Sequence, residues 1–186
     1  MSGDGMTDRR RRFEAEALVH LDAAYNLARW LARAPGEADD VIQEAMLRAF
    51  RAYDGRRGED AKPWLLAIVR NCFYDAAGLR SREAARRAPG DPEDWTLTAA
   101  APEGEEPLAA TIAAQQAGAL GAALARLAPD FREVLVLREI EELSYREIAA
   151  VIGVPEGTVM SRLARARAAL RAAWRDGEGG DAHDLR

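Results

Sequence analysis

Ser144-Tyr-Arg-Glu-Ile-Ala-Ala-Val-Ile-Gly-Val-Pro-Glu-Gly-Thr-Val-Met-Ser-Arg-Leu-Ala-Arg-Ala-Arg167 reads as a short helix, a tight turn and a second, longer helix. Ser144 is placed to cap the first helix while Glu147 reaches back to its backbone N–H, a capping box. Ile148, Ala149, Val151 and Ile152 recur at helical spacing and are expected to face a core. Gly153 stops that helix, because glycine enters the left-handed conformation without steric cost. Pro155, with its φ already set, suits the start of the next. In that second helix Val159, Leu163, Ala166 and Leu170 form one apolar stripe. Thr158, Ser161, Ala164 and Arg165 lie on the other side, flanked by Met160, Arg162 and Arg167. A small-residue face bordered by arginines suits the DNA major groove, which such a helix enters with its N-terminal half. The stretch is a helix-turn-helix signal. Its plainer alternative is a helical hairpin with a solvated basic face.

The remainder of the 186 residues reads as helical too. Hydrophobic residues make up 48% of the chain, enough for real cores, and much of that is alanine, a strong helix former. Strand-like runs rich in Val, Thr and Tyr are absent, so the expected class is all-α. Cys72 is the single cysteine, which excludes an internal disulfide, and no paired-ligand spacing for zinc occurs. It falls in an apolar stripe and reads as packing rather than as a reactive thiol. Two histidines, His20 and His183, and no Gly-rich phosphate loop leave no catalytic constellation to assemble. The chain is therefore expected not to be an enzyme and to use no cofactor or metal. No apolar run reaches membrane-spanning length, and no signal-peptide core follows Arg9 to Arg12. A soluble, cytoplasmic protein is expected.

A net charge of −5 looks wrong for a nucleic-acid binder until it is located. Residues 83–118 carry seven acids against two arginines, and residues 176–186 four against one, so the rest of the chain is at +3. Distribution rather than total decides whether phosphates are attracted.

In chain order, residues 1–12 are polar, end in four arginines and read as a disordered start. Residues 13–33 keep a helical period through Leu18, Leu21, Ala24, Tyr25, Ala28 and Leu31, before Ala34-Pro35-Gly36 breaks it. A second helix spans residues 37–53, with Glu37, Asp39 and Asp40 in its first turn, where the dipole favours negative charge. Its core face is Val41 or Ile42 with Ala45, Ala49, Phe50 and Tyr53; its other face shows Asp40, Gln43, Glu44, Leu47 and Arg51. That acidic stripe is either simply solvated or a partner surface. A charged loop, residues 54–60, leads into a third helix over residues 61–82 with Leu65, Ile68, Val69, Cys72, Phe73, Ala76 and Leu79 buried. Arg70 and Tyr74 together on an exposed face can clamp and stack on unpaired bases. Edge packing for Tyr74 and loop bracing for Asn71 are the plainer readings. The Pro-, Gly- and acid-rich residues 84–107 form a flexible linker. The division is residues 13–83, linker 84–107, and residues 108–175: two small helical domains joined by a flexible acidic linker.

Two helical modules, the second ending in a helix-turn-helix, resemble the small bacterial sigma factors, and more narrowly the extracytoplasmic-function (ECF) class. The residues that carry the resemblance are Glu37-Ala-Asp-Asp-Val-Ile-Gln-Glu-Ala-Met-Leu-Arg-Ala-Phe50, Pro63-Trp-Leu-Leu-Ala-Ile-Val-Arg-Asn71 and Asp75. In the C-terminal module they are Leu127-Ala-Pro-Asp-Phe-Arg-Glu-Val-Leu-Val-Leu-Arg138, Leu143-Ser-Tyr-Arg-Glu-Ile-Ala149 and residues 157–167. The resemblance implies binding to RNA polymerase core enzyme and promoter-specific initiation, with residues 13–83 as region 2 and 108–175 as region 4. It implies core-polymerase docking through Asp39, Asp40, Gln43 and Glu44. Capture of the −10 element falls to Arg56, Arg57, Arg70, Asn71, Tyr74 and Arg80, with Trp64 as a packing wedge. It further implies that the −35 element would be read by Thr158, Met160, Ser161, Ala164 and Arg165, with Arg146, Arg162 and Arg167 expected on phosphates. Ala76-Ala77-Gly78-Leu79 departs from the family's more basic run, and Gly78 is expected to loosen the helix end. An anti-sigma factor is a further implied partner. Competing readings are an ordinary helix-turn-helix regulator and a sigma-like decoy that binds an anti-sigma protein but not DNA.

Overall fold

The computed structural model describes residues 3–32, 36–56, 60–87 and 111–178. Among these every regular element is helical: α1 (Gly3–Glu16), α2 (Leu21–Leu31), α3 (Glu37–Ala52), α4 (Ala61–Arg87), α5 (Thr111–Ala125), α6 (Pro129–Leu135), α7 (Tyr145–Ile152) and α8 (Glu156–Glu178). The all-α expectation holds. Short 3-10 turns, Leu18–His20 and Tyr53–Gly55, follow α1 and α3, and a π-helical turn, Val136–Ile140, continues α6.

Local signals place several ends. Gly36 stands before α3 with φ 80°, left-handed backbone that suits glycine. Ser144 accepts from the Glu147 amide at 3.3 Å while its own amide donates to the Glu147 carboxylate at 2.7 Å, the expected capping box. The Ser144 hydroxyl and amide, both donating to the Glu147 carboxylate, pull that carboxyl below its ordinary pKa. Gly153 ends α7 at φ 71°.

Three expectations need correction. The N-terminal arginines are helical from Gly3, not disordered. Arg9 anchors α1 by donating to the Phe50 carbonyl at 2.6 Å, pairing with Asp54 at 2.8 Å and lying 4.7 Å over the Phe50 ring. Phe13 adds edge-on packing against Phe50 and Tyr53. In α2 the buried stripe is Ala23, Ala24, Leu27, Ala28 and Leu31, whereas Leu21 and Tyr25 are exposed. The break at residues 17–20 resets the helical phase that a single helix from Phe13 would have kept. Third, α4 runs through Gly78 to Arg87, so one glycine, worth about 1 kcal/mol in a helix interior, does not end it. Residues 88–110, which hold most of the expected linker, lie outside the described residues.

In the N-terminal half, α2, α3 and α4 close on one another around Leu27, Leu65, Leu66 and Val69, all fully buried. Cys72 is buried there as expected, and burial pushes its thiol pKa up. In the C-terminal half, α5, α6 and α7 each pack on α8, with Val134, Leu137, Ile148, Val159 and Leu163 at the centre. Fully burying one such aliphatic side chain stabilises by about 1.5–3 kcal/mol. The halves also share a face: α4 lies against α7, and α2 against α6.

Polar groups organise that face. Arg132 donates to the carbonyls of Leu124 (3.0 Å), Ala125 (2.7 Å) and Leu127 (3.2 Å) at the end of α5, and to Trp30 (2.9 Å) at the end of α2. Arg70 of α4 donates to Glu133 of α6 at 2.7 Å, and Lys62 pairs with Glu141 at 3.0 Å. Asn26 donates to the same Glu141 carboxylate at 3.3 Å.

Burial pushes the Glu133 carboxyl up to about 7, outweighing the opposing pull of Arg70; Asp130 adds to the rise and Arg162 opposes it. A carboxyl in the unfolded chain titrates near ~4.3. The folded form thus keeps a proton that the unfolded chain loses, and this group's contribution to stability falls as pH rises across that window. Glu133→Gln keeps the shape without the charge and should gain relative to wild type on going from about pH 5.5 to about pH 8, read from urea midpoints. An equal difference at both pH values would show that Glu133 does not titrate there.

Candidate nucleic-acid interface

The strip on α8 survives as a surface. Met160, Ser161, Ala164 and Arg165 are exposed, and Thr158 is half-buried beside them. Ser161 Oγ donates to the Thr158 carbonyl at 3.0 Å, which keeps that hydroxyl close to the helix. Arg165 leans back on the Ser161 carbonyl (3.4 Å, a long contact) with its guanidinium 5.8 Å from the Phe131 ring centre. Such contacts are weak enough to exchange for a base edge. Arg146 is exposed on α7. The other two basic residues are engaged by carboxylates: Arg167 by Glu139 at 2.7 Å, and Arg162, whose side chain is 18% exposed, with Asp130 at 3.7 Å.

The second basic group is split. Arg56 pairs with Glu16, and its guanidinium sits 5.8 Å from the Tyr53 ring centre. Trp64 packs edge-on to the same Tyr53, consistent with the wedge role expected for it. Arg57 and the side chain of Arg80 lie outside the described residues. Asn71 is exposed on α4. Arg70 and Tyr74 come together as expected, with the guanidinium 4.6 Å over the ring, but they point into the shared face rather than to solvent. The Tyr74 hydroxyl is buried with no hydrogen-bond partner among the described residues, and desolvation, with Glu133 close by, pushes its pKa up to about 12.

The acidic stripe of α3 is open. Asp39, Asp40 and Gln43 are exposed, and Leu47 is 52% exposed among them. Glu44 is half-buried and takes Arg48 at 2.6 Å; Arg48 also holds Asp75 of α4 at 2.6 Å. At this exposure the network orients Glu44 more than it stabilises the fold.

Four residues of consequence escaped the sequence reading: Lys62, Arg132, Glu133 and Glu141. A signal existed for two of them. Lys62 is the single lysine beside 25 arginines, and Glu133 stands one turn before Leu137 on the buried side of α6. Among the described residues no cluster of three or more His, Cys, Asp or Glu side chains is disposed to hold a metal. No helix among them is long and apolar enough to cross a membrane.

Comparison with known proteins gives two family matches, Sigma-70 region 2 over residues 18–96 and Sigma-70 region 4 over residues 117–170. The ECF RNA polymerase sigma factor SigE of Mycolicibacterium smegmatis is 38% identical over 152 residues, 82% of this chain and 57% of that protein's length. The ECF RNA polymerase sigma-E factor of Escherichia coli K12 is 34% identical, covering 73% of this chain and 72% of its own length. Among solved structures, the sigma factor RpoE from Bartonella quintana, in complex with the anti-sigma factor NepR, superposes with a TM-score of 0.68 at 27% identity, over 90% of this chain and 97% of that one. CnrH in complex with the cytosolic domain of CnrY gives 0.57 at 26% identity, over 88% and 87%.

Arg165→Ala should relax base preference in binding to duplex DNA, since a bidentate arginine contact discriminates by about 1–3 kcal/mol. Arg146→Ala should weaken all duplexes alike, as phosphate contacts do. Parallel titrations on selected and scrambled duplexes check this; equal losses on both for each variant would end the distinction.

Proposed function

We propose, from the premise that the chain belongs to the sigma-70 family and within it to the ECF class, that it binds RNA polymerase core enzyme and directs initiation at promoters bearing matched −10 and −35 elements. One observation carries the reading: a single chain holds region 2 and region 4 in order, one with an open acidic stripe and the other with an open arginine-bordered recognition strip. In this reading Asp39, Asp40, Gln43 and Glu44 meet the polymerase. Complementary charge of this kind speeds encounter and fixes register. Arg56, Arg57, Arg70, Asn71, Tyr74 and Arg80 take the −10 strand, with Tyr74 and Arg70 offsetting the few kcal/mol of unstacking that a flipped base costs. Thr158, Met160, Ser161, Ala164 and Arg165 read the −35 duplex, with Arg146, Arg162 and Arg167 on its phosphates.

The polymerase performs the phosphoryl chemistry; this chain supplies position and is not itself a catalyst. It acts where the polymerase is, in the cytoplasm. RpoE is in complex with the anti-sigma factor NepR and CnrH with the cytosolic domain of CnrY, which supports an anti-sigma partner for this chain too. The open recognition strip weighs against a decoy, which needs no base-reading surface.

Core enzyme mixed with this chain should give discrete run-off transcripts from a genomic template pool, and their aligned start sites should share two upstream elements. Asp39→Ala/Asp40→Ala should lower affinity for core enzyme about tenfold or more, a loss of ~1.4 kcal/mol, without altering promoter choice. Core enzyme that initiates no differently with and without the chain would refute the reading.

A further inference from the structure

Asp75 is one of the residues by which this chain resembles its family, yet it has no part in the proposed docking or base-binding sets. It is exposed on α4, one turn after Asn71, and its carboxylate takes Arg48 Nη1 at 2.6 Å. Arg48 belongs to α3, and its Nε donates to Glu44 Oε1, one turn earlier on the same helix, also at 2.6 Å. One guanidinium thus joins a member of the proposed docking stripe to the helix proposed to meet the −10 strand. Among the described residues, Glu44 is the member of the docking set whose carboxylate is tied in this way to another helix.

Stability is a poor account of the arrangement. The side chains of Arg48, Glu44 and Asp75 are 42%, 46% and 57% exposed, and ion pairs in that setting hold a fold together weakly. What the network fixes is direction. Glutamate has several rotatable bonds, and ordering such a side chain is part of what binding costs. The donors of a guanidinium lie in one rigid plane, so Nη1 on Asp75 aims Nε, and Nε in turn holds Glu44. Glu44 preceding Arg48 by four residues is the favourable order on a helix; the bond to Asp75 adds an anchor that a lone pair of that spacing lacks. The Arg48 bond uses Oε1 of Glu44 and leaves Oε2 outside it, so a partner cation still has an acceptor to meet. Hydrogen bonds to Asp75 and Glu44, in that order of weight, raise the Arg48 pKa, and the cation is present at every working pH.

We infer that Arg48, anchored by Asp75, is a positioning residue for polymerase docking: it presents the Glu44 carboxylate already oriented to a cation of the partner. This rests on the assignment of the α3 stripe to the polymerase made above. Asp75 thereby serves docking from a helix that carries no part of the stripe. Pre-orientation of this kind raises affinity by lowering the ordering cost of binding rather than by adding a contact.

Arg48→Ala tests this on the full chain, because charge and positioning predict opposite signs. Taking a cation out of an acidic stripe should, by charge alone, tighten binding to a basic partner surface, whereas losing the orientation of Glu44 should weaken it. The expected result, in equilibrium titrations against core RNA polymerase, is an affinity lower by about threefold to tenfold, the scale of ordering one side chain. Asp75→Asn leaves every residue of the stripe in place and should reproduce most of that loss. Arg48→Lys, a point charge without the planar fork, should fall between Arg48→Ala and wild type. In a Glu44→Ala background, Arg48→Ala should weaken binding no further, since nothing remains to be positioned; a defect of folding would persist there. Arg48→Ala that binds as tightly as wild type, or more tightly, overturns the role, and so does a loss undiminished in the Glu44→Ala background. In each of these cases the wild-type chain still binds core enzyme and the proposed function stands. A wild-type chain that does not bind core enzyme overturns the proposed function and this role together.

Discussion

The guanidinium of Arg132 is the constraint on which the packing of this chain turns. Helix ends leave carbonyls without partners, and two ends meet here, that of α5 at Leu124, Ala125 and Leu127 and that of α2 at Trp30. One side chain from α6 serves both. Arginine is suited to this because its five donors project in a rigid plane. With Arg132 so held, the next residue, Glu133, is directed at α4, and the remainder of α6 leads into the π-turn that carries Glu141. The C-terminal half is therefore located against the N-terminal half by backbone carbonyls as much as by apolar contact.

Features decided within a few residues could be read from the chain alone. The Ser144–Glu147 capping box, the left-handed Gly153 and the Val159–Leu163–Ala166 stripe depend on spacing, and each is found where spacing put it. Features decided by distant partners could not. The helicity of residues 3–12 depends on Phe50 and Asp54, some forty residues away. The phase of α2 depends on a break at residue 17 that no proline or glycine marks. The candidate sites divide the same way. Exposure of Arg165 follows from the stripe opposite it, whereas the orientation of Arg70 depends on Glu133 of another half.

Among the described side chains, four of the six arginines proposed to meet DNA come with a carboxylate attached: Arg56 with Glu16, Arg70 with Glu133, Arg162 with Asp130 and Arg167 with Glu139. A phosphate taken up at those positions would be exchanged for a carboxylate rather than captured by a bare cation. Exchange lowers the gain per contact and favours DNA that satisfies several positions at once. Arg165 lies instead over a phenyl ring and against a backbone carbonyl, contacts that carry no full charge to displace. Arg165, proposed above to read bases, thus has less to give up than those four.

The π-turn at Val136–Ile140 holds one residue more per turn than an α-helix would, closed by the Glu141 amide on the Val136 carbonyl at 3.0 Å. Each residue of a helix turns its successor by about 100°. The additional residue therefore acts as a gear: it sets the angle at which Glu141 leaves the helix, and with it the heading of everything that follows. Trimming that turn to α-helical register would leave α7 and α8 intact as objects and aim them elsewhere. In such a chain α8 would be rotated relative to α4, with the number of residues between them changed by no more than the trim itself.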